Sequence, residues 1–255
     1  MRIYLHPIMQ KKIRVGAVSY LNTKPLIYGF SHGLMADEIE LSLDYPSQLA
    51  ARLQKGQLDI ALLPVASIAN ISEPHLFSNY CIASDKQVAS VALFSQVPIE
   101  EIQEVFLDYQ SRTSVTLFRI LMRDYWHIRP SLLEASEDYI CRIQGKSAGI
   151  IIGDRALEQL PNFPYIYDLA EAWQSHTQLP FVFATWVSNQ ELSASFIEAF
   201  DAANAVGLGQ LDTFIADNPY PVYDLKKYYH ENIAFEFNEE RRNGMQLFLK
   251  TVEKL

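Results

Sequence analysis

Cysteine is scarce in this chain of 255 residues: only Cys81 and Cys141 occur, with no C-x-x-C pair and no His-rich segment beside them. A zinc site is disfavoured, no metal is expected, and two reduced structural thiols are the expectation rather than a disulfide. Glycine and proline are scattered singly, which excludes collagen-like and low-complexity chains. The longest apolar stretches, "IALLPVASIA" and "LPFVFATWV", are well short of the ~20 residues that cross a bilayer, so no transmembrane helix is expected. No stripe of Lys and Arg offsets the formal charge of −9 and the pI of about 5.2, which argues against nucleic acid as a partner. The acidity also sets a condition. An anionic ligand meets a repulsive average field and needs local donors: an Arg, a Lys or a helix N-terminus.

Familiar motifs are missing as well. There is no G-x-S-x-G elbow, no G-x-x-x-x-G-K-[ST] loop and no G-x-G-x-x-G fingerprint, so a serine-hydrolase mechanism, nucleoside triphosphates and dinucleotides are poorly supported. The start, "MRIYLHPIMQKKIRV", lacks the basic, apolar and small-residue order of a secretion signal. It reads as a short extension before the first strand, and points to the cytoplasm.

What is present is an ordinary globular composition, 49% hydrophobic and 20% charged, with length for one large core or two smaller lobes. Strand and helix signals alternate. "KIRVGAV" reads as a strand, then a helix through "PLIYGF". "IELSLD" is followed by a helix, "SQLAARLQKG", with Ser47 as its cap and Gly56 as its stop. "LDIALLPV" has the unbroken apolar character of a strand buried on both faces. After "SVALFS" the pattern repeats: "EVFLD", the polar turn "YQSRTSV", and a helix placing Phe118, Leu121, Met122 and Tyr125 on one face. "AGIII" and "YIYDLAEAW" follow, "PFVFATWV" is the last long apolar strand, and the remainder is mainly helical, with Asn238 capping the last helix. Such alternation predicts an α/β protein with mostly parallel sheets. A helical tail after a late strand predicts two lobes joined by two crossings: residues 1–94 with 184–255, and 95–183 between.

In open α/β sheets ligands bind outside the carboxyl ends of strands, and four such ends carry polar residues. They are Ser19-Tyr20-Leu21-Asn22-Thr23, Pro64 to Ser67, Ser111-Arg112-Thr113-Ser114, and Gly153-Asp154. "SRTS" either caps a helix beside a surface arginine or gathers hydroxyls, first-turn N–H groups and a guanidinium around a carboxylate. Asn22 and Thr23 are likewise caps or ligand contacts. Asp154 is a cap, an ion-pair partner of Arg155 or an acid. His176 is a loop histidine or a general base. Trp173 and Trp186 are expected in the core.

The blocks "VGAVSYLNTKPLIYG", "GQLDIALLPVASI", "SVALFS", "VFLDYQSRTSVTLFRILM", "IIGDRAL" and "TQLPFVFATW", in this order from Val15 to Trp186, resemble the chorismate dehydratase family of futalosine-dependent menaquinone biosynthesis. The resemblance implies a two-lobed, type II periplasmic-binding-protein-like fold, with each lobe a sheet flanked by helices. It implies a hydro-lyase that takes water from chorismate to give 3-[(1-carboxyvinyl)oxy]benzoate. Because the ring becomes aromatic, no cofactor is needed. It further implies a substrate held between the lobes. Ser111, Arg112, Thr113 and Ser114 would clamp a carboxylate, and Asn22 would bond the ring or the departing hydroxyl as the catalytic residue. Ser19 and Tyr20 would line the pocket, Ser84 and Ser90 would add donors at the first crossing, and Asp154 and Thr177 would close the other side. The proton acceptor stays open between chorismate's own enolpyruvyl carboxylate and His176. Rivals are a small-anion solute-binding protein of the same fold, and the sibling 1,4-dihydroxy-6-naphthoate synthase. The sibling's motif resembles "SPCPNDT", where this chain reads "SYLNT".

Overall fold

The computed structural model describes residues 11–255, so most of the expected N-terminal extension lies outside the described residues. Strand β1 (Ile13–Ala17) leads through a 3-10 turn into helix α1 (Lys24–Ser31), β2 (Ile39–Leu43) into α2 (Pro46–Gln54), and β3 (Ile60–Pro64) into the short α3 (Val65–Ile68). Helix α2 begins one residue before the expected cap, with Tyr45 at the cap position and Pro46 opening the helix. Proline suits that place because its missing N–H would have no intrahelical partner there. Strand β4 (His75–Ser84) crosses towards β5 (Val91–Ser95). Strand β6 (Glu104–Leu107), α4 (Arg112–Asp124), β7 (Ser131–Glu134), β8 (Ser147–Ile152), α5 (Asp154–Gln159), β9 (Tyr165–Asp168) and α6 (Leu169–Thr177) follow. The chain returns on β10 (Phe181–Ser188), and α7 (Ala194–Gly209) opens a tail holding β11 (Ala234–Glu236) and a last helix, Glu239–Val252, capped by Asn238 as expected.

Two sheets result, ordered β11-β4-β10-β3-β1-β2 and β7-β6-β8-β5-β9. The α/β class and the two lobes agree with the sequence reading, but the sheets are mixed rather than mostly parallel. β1 pairs parallel with β2 and β3, and β6 with β7 and β8; β10 and β5 pair antiparallel with their neighbours, as β11 does with β4. The cause is the crossing itself. β5 and β10 each enter a sheet at its cleft end, and so run against strands that finish there. The expected cuts at 94/95 and 183/184 fall inside β5 and β10, because each strand joins its new sheet as soon as it has passed the cleft, after residues 85–90 and 178–180.

Core packing fixes the helices on these sheets. Trp173 and Trp186 are buried as expected, the latter donating its indole N–H to Asn204 Oδ1 at 3.0 Å. Helices α1 and α7 approach so closely that a Cβ on Gly29 would strike the carbonyl of Ala203, and one on Gly207 that of Pro25. Cys81 is buried in β4 and Cys141 exposed in the other lobe, both free.

Candidate active site

The carboxyl ends of β1, β3, β6 and β8 face one another across the gap between the sheets. A cleft there is lined from one side by Tyr20, Asn22, Pro64 and Phe183, and from the other by Ser111, Thr113, Ser114 and Gly153. The remaining walls are aliphatic, among them Leu62, Ile82, Val91 and Ile152, and no charged side chain lines the cleft among the described residues. Its volume is about 70 Å³, far below the roughly 300–1,000 Å³ of ordinary small-molecule pockets. Direct hydrogen bonds draw the walls together. Tyr20 donates its phenol to Gln110 Oε1 at 2.9 Å, the Leu21 amide donates to Asp154 Oδ1 at 3.3 Å, and the Ala66 amide to Thr113 Oγ1 at 3.1 Å.

Local sequence explains each wall. Gly153 turns with φ of 65° and ψ of −149°, a backbone region open to glycine, so the chain leaves β8 flush with the cleft. Ser111 is the N-cap of α4: its Oγ accepts from the Ser114 amide at 3.1 Å and lies 2.9 Å from Ser114 Oγ. The first-turn amides of a helix have no intrahelical acceptor. With Ser114 taken by the cap, those of Arg112 and Thr113 carry the positive end of a 13-residue helix beside the cleft. The cap is thus realised, and the same helix end faces the cleft.

Behind the loop lies a charged anchor. Asp108, fully buried at the end of β6, accepts from Arg155 Nη2 at 2.7 Å, from the Tyr139 hydroxyl at 2.8 Å and from the Gln110 amide at 2.7 Å. These bonds tie Asp108 and Gln110 to the second sheet and to α5. Burial, helped by the Asp108 carboxylate, pushes the Tyr20 phenol up to about 12, so it remains a donor at neutral pH. Asp154 is also raised by burial, with the Leu21 amide and Lys24 pulling it back.

Of the expected site residues, Tyr20, Asn22, Ser111, Thr113 and Ser114 meet in the cleft. Arg112 does not. It is exposed and lines a neighbouring groove instead. Asp154 stands at the edge, spent on Leu21 rather than paired with Arg155, which turns to Asp108 instead. Ser19 is exposed outside the lining. Ser84 and Ser90 are buried outside it: Ser84 Oγ accepts from the Lys86 amide at 3.4 Å, and Ser90 Oγ lies 2.9 Å from the Tyr228 hydroxyl. Thr177 donates to Trp173 O at 2.8 Å and shapes the second crossing. His176 is exposed on the outer face of α6, its ring 5.7 Å from that of Tyr125, so it is no base for this cleft. Sequence reasoning missed Gln110 and Asp108, although Asp108 ends β6 and Gln110 stands beside the "SRTS" block already singled out. No group of three His, Cys, Asp or Glu side chains gathers as a metal site among the described residues.

A family model described as menaquinone biosynthesis matches residues 13–254. The chain belongs to the menaquinone biosynthesis family. Within reach of that family, a chorismate dehydratase from Thermus thermophilus is 24% identical over 265 residues, 93% of this chain and 94% of the relative. A second chorismate dehydratase, from Campylobacter jejuni, is 24% identical over 249 residues, 94% and 97% of the two chains. Among solved structures, a protein of Archaeoglobus fulgidus matches with a TM-score of 0.69 at 14% identity, covering 98% of both chains. The periplasmic aliphatic sulphonate binding protein of Escherichia coli matches with a TM-score of 0.66 at 17% identity, covering 96% of this chain and 87% of that one. These structures share the fold: two lobes about a cleft, as the family expectation had it.

Proposed function

We propose that the protein is a chorismate dehydratase that works in this cleft, converting chorismate to 3-[(1-carboxyvinyl)oxy]benzoate and water. One observation carries the assignment of the site: Asn22 from one lobe and the Ser111, Thr113 and Ser114 hydroxyls from the other converge in an otherwise apolar slot. That is the donor set a dicarboxylate needs when its hydroxyl must leave. A ring carboxylate sits at the start of α4, held by hydroxyls and the free first-turn amides. Asn22 donates to the hydroxyl at the moment it departs, where an amide aimed at developing charge is worth most in a dry site. The proton leaves the ring carbon that bears the enolpyruvyl ether, the hydroxyl leaves the adjacent carbon, and the electron pair between them completes the benzene ring. Atoms balance as one molecule of water lost.

The proton goes to the substrate's own enolpyruvyl carboxylate. What supports this route is the lining itself, which has no carboxylate and no histidine, together with His176 lying outside. Holding the groups in line supplies a large share of the rate, on the order of 7–11 kcal/mol in well-oriented systems. The slot is too small for the substrate as it stands, so the lobes part about the crossings at residues 85–90 and 178–180 and close again on the ligand. The working partner is this small molecule, and the place of work is the cytoplasm.

The test is direct. Mixed with chorismate, the purified chain is expected to exchange the diene absorbance for that of an aromatic ether. Binding without that change would make it a receptor of the same fold; silence in both would remove chorismate.

A further inference from the structure

Beside the cleft lies a second concavity of about 470 Å³, which shares Pro46 and Pro64 with it. Its polar lining includes Ser67, Asn70, Gln110 and Arg112. Arg112 forms no ion pair among the described residues, unlike Arg52, which binds Asp44, and Arg155, which binds Asp108. No acid lines the groove among the described residues, and Glu137 borders another depression with Tyr109 and Gln110. Gln110 lines the groove on one side and receives the hydroxyl of Tyr20, a cleft residue, on the other.

We propose that this groove is a capture site for the carboxylates of the incoming substrate, with Arg112 as its charge and the Tyr20–Gln110 bond as the partition between groove and cleft. The inference rests on the dehydratase reading and adds a step to it. A chain of charge −9 repels a dianion on average, and among the described residues the cleft offers no cation to counter this. An unpaired guanidinium in an open groove at the cleft's edge does so before the lobes close. Its effect falls on arrival and not on the chemical step, because charges at a rim act mainly on association. Once the substrate passes, hydroxyls and helix amides take over, and the Tyr20–Gln110 bond re-forms behind it.

The experiment is rapid mixing of the full chain with chorismate, followed by intrinsic fluorescence, at ionic strengths from low to about 1 M. Arg112→Gln is expected to slow association roughly three- to tenfold at low salt, with the gap closing towards 1 M as the screening length shrinks to about 3 Å. Arg112→Lys should restore the rate, because charge and not shape is at issue, while turnover at saturating chorismate stays within about twofold. Equal association rates for wild type and Arg112→Gln at low salt would overturn the proposal, as would an Arg112→Lys variant as slow as Arg112→Gln. A loss confined to saturated turnover would place Arg112 inside the reaction site instead, and so also overturns it. If the chain binds chorismate without consuming it, the dehydratase reading fails while the association rates still decide the groove.

Discussion

The wall of the cleft built on β1, β3 and β10 offers one amide side chain and one phenol among apolar neighbours, whereas the wall built on β6 and α4 offers three hydroxyls and the open end of a helix. Among the described residues neither wall brings a formal charge. On the proposed dehydratase reading, the first supplies a donor for a group that changes during reaction, and the second fixed dipoles for a group that stays charged throughout. On that reading, a protein that repels anions overall would hold one through oriented backbone, whose positive end is equivalent to roughly half a charge and needs no counter-ion.

Breaking the first wall should cost most. Asn22→Ala is expected to lower turnover by about 100-fold or more, the scale for losing one donor to developing negative charge. Unfolding by denaturant should change little, since Asn22 is a partly exposed residue of the 3-10 turn after β1; equal activity in the variant would move the chemistry elsewhere. Behind the second wall, Asp168 accepts from the Ala89 amide at the first crossing and from the Ala170 and Glu171 amides of α6. Burial pushes it up to about 6, against those bonds. Its folded value lies above the unfolded one, so its contribution is fully present below about pH 4 and is lost as pH rises through about 6. Denaturant titrations across that window should show the wild type losing about 2–3 kcal/mol relative to Asp168→Asn; parallel curves would contradict the shift.

Ser111→Ala tests the second wall directly. Cap and cradle coincide there, so the variant should lose about 1 kcal/mol of stability and roughly tenfold in apparent affinity for chorismate, from the charge-assisted bond removed. Loss of stability alone would reduce Ser111 to a cap. Tyr20→Phe removes one of the three bonds between the walls and should weaken apparent affinity about fivefold, in line with a single hydrogen bond of about 1 kcal/mol. Small-angle scattering of that variant should show a larger radius without ligand, and an unchanged radius would deny the partition its role. His176→Ala, outside both walls, should leave turnover within about twofold; a large drop would reopen the question of the base.

Much of this was legible in letters. The blocks after β1 and β6 stand at strand ends, the place where side chains leave a parallel sheet, and "SYLNT" and "SRTS" each met the cleft there. The misses have a common cause. Ser84, Ser90 and Thr177 carry the same hydroxyl as Ser111, and nothing local distinguishes a hydroxyl satisfied by a buried Tyr228 or by its own helix from one left facing a cavity. Strand β4, the longest of the sheet strands, was not read in advance: its register shifts twice against β10 and breaks the alternation that marks a strand.

The sequence by itself determined the periodicities, the cap of the last helix, the glycine at β8's end and the family blocks, because these depend on spacing within a few residues. Only the tertiary structure decided which strand ends face each other, that β5 and β10 run against their sheets, and that Arg112 turns outward while Arg155 turns to Asp108. Those outcomes depend on distances between segments up to 133 residues apart, as Leu21 and Asp154 are, and no local pattern encodes them.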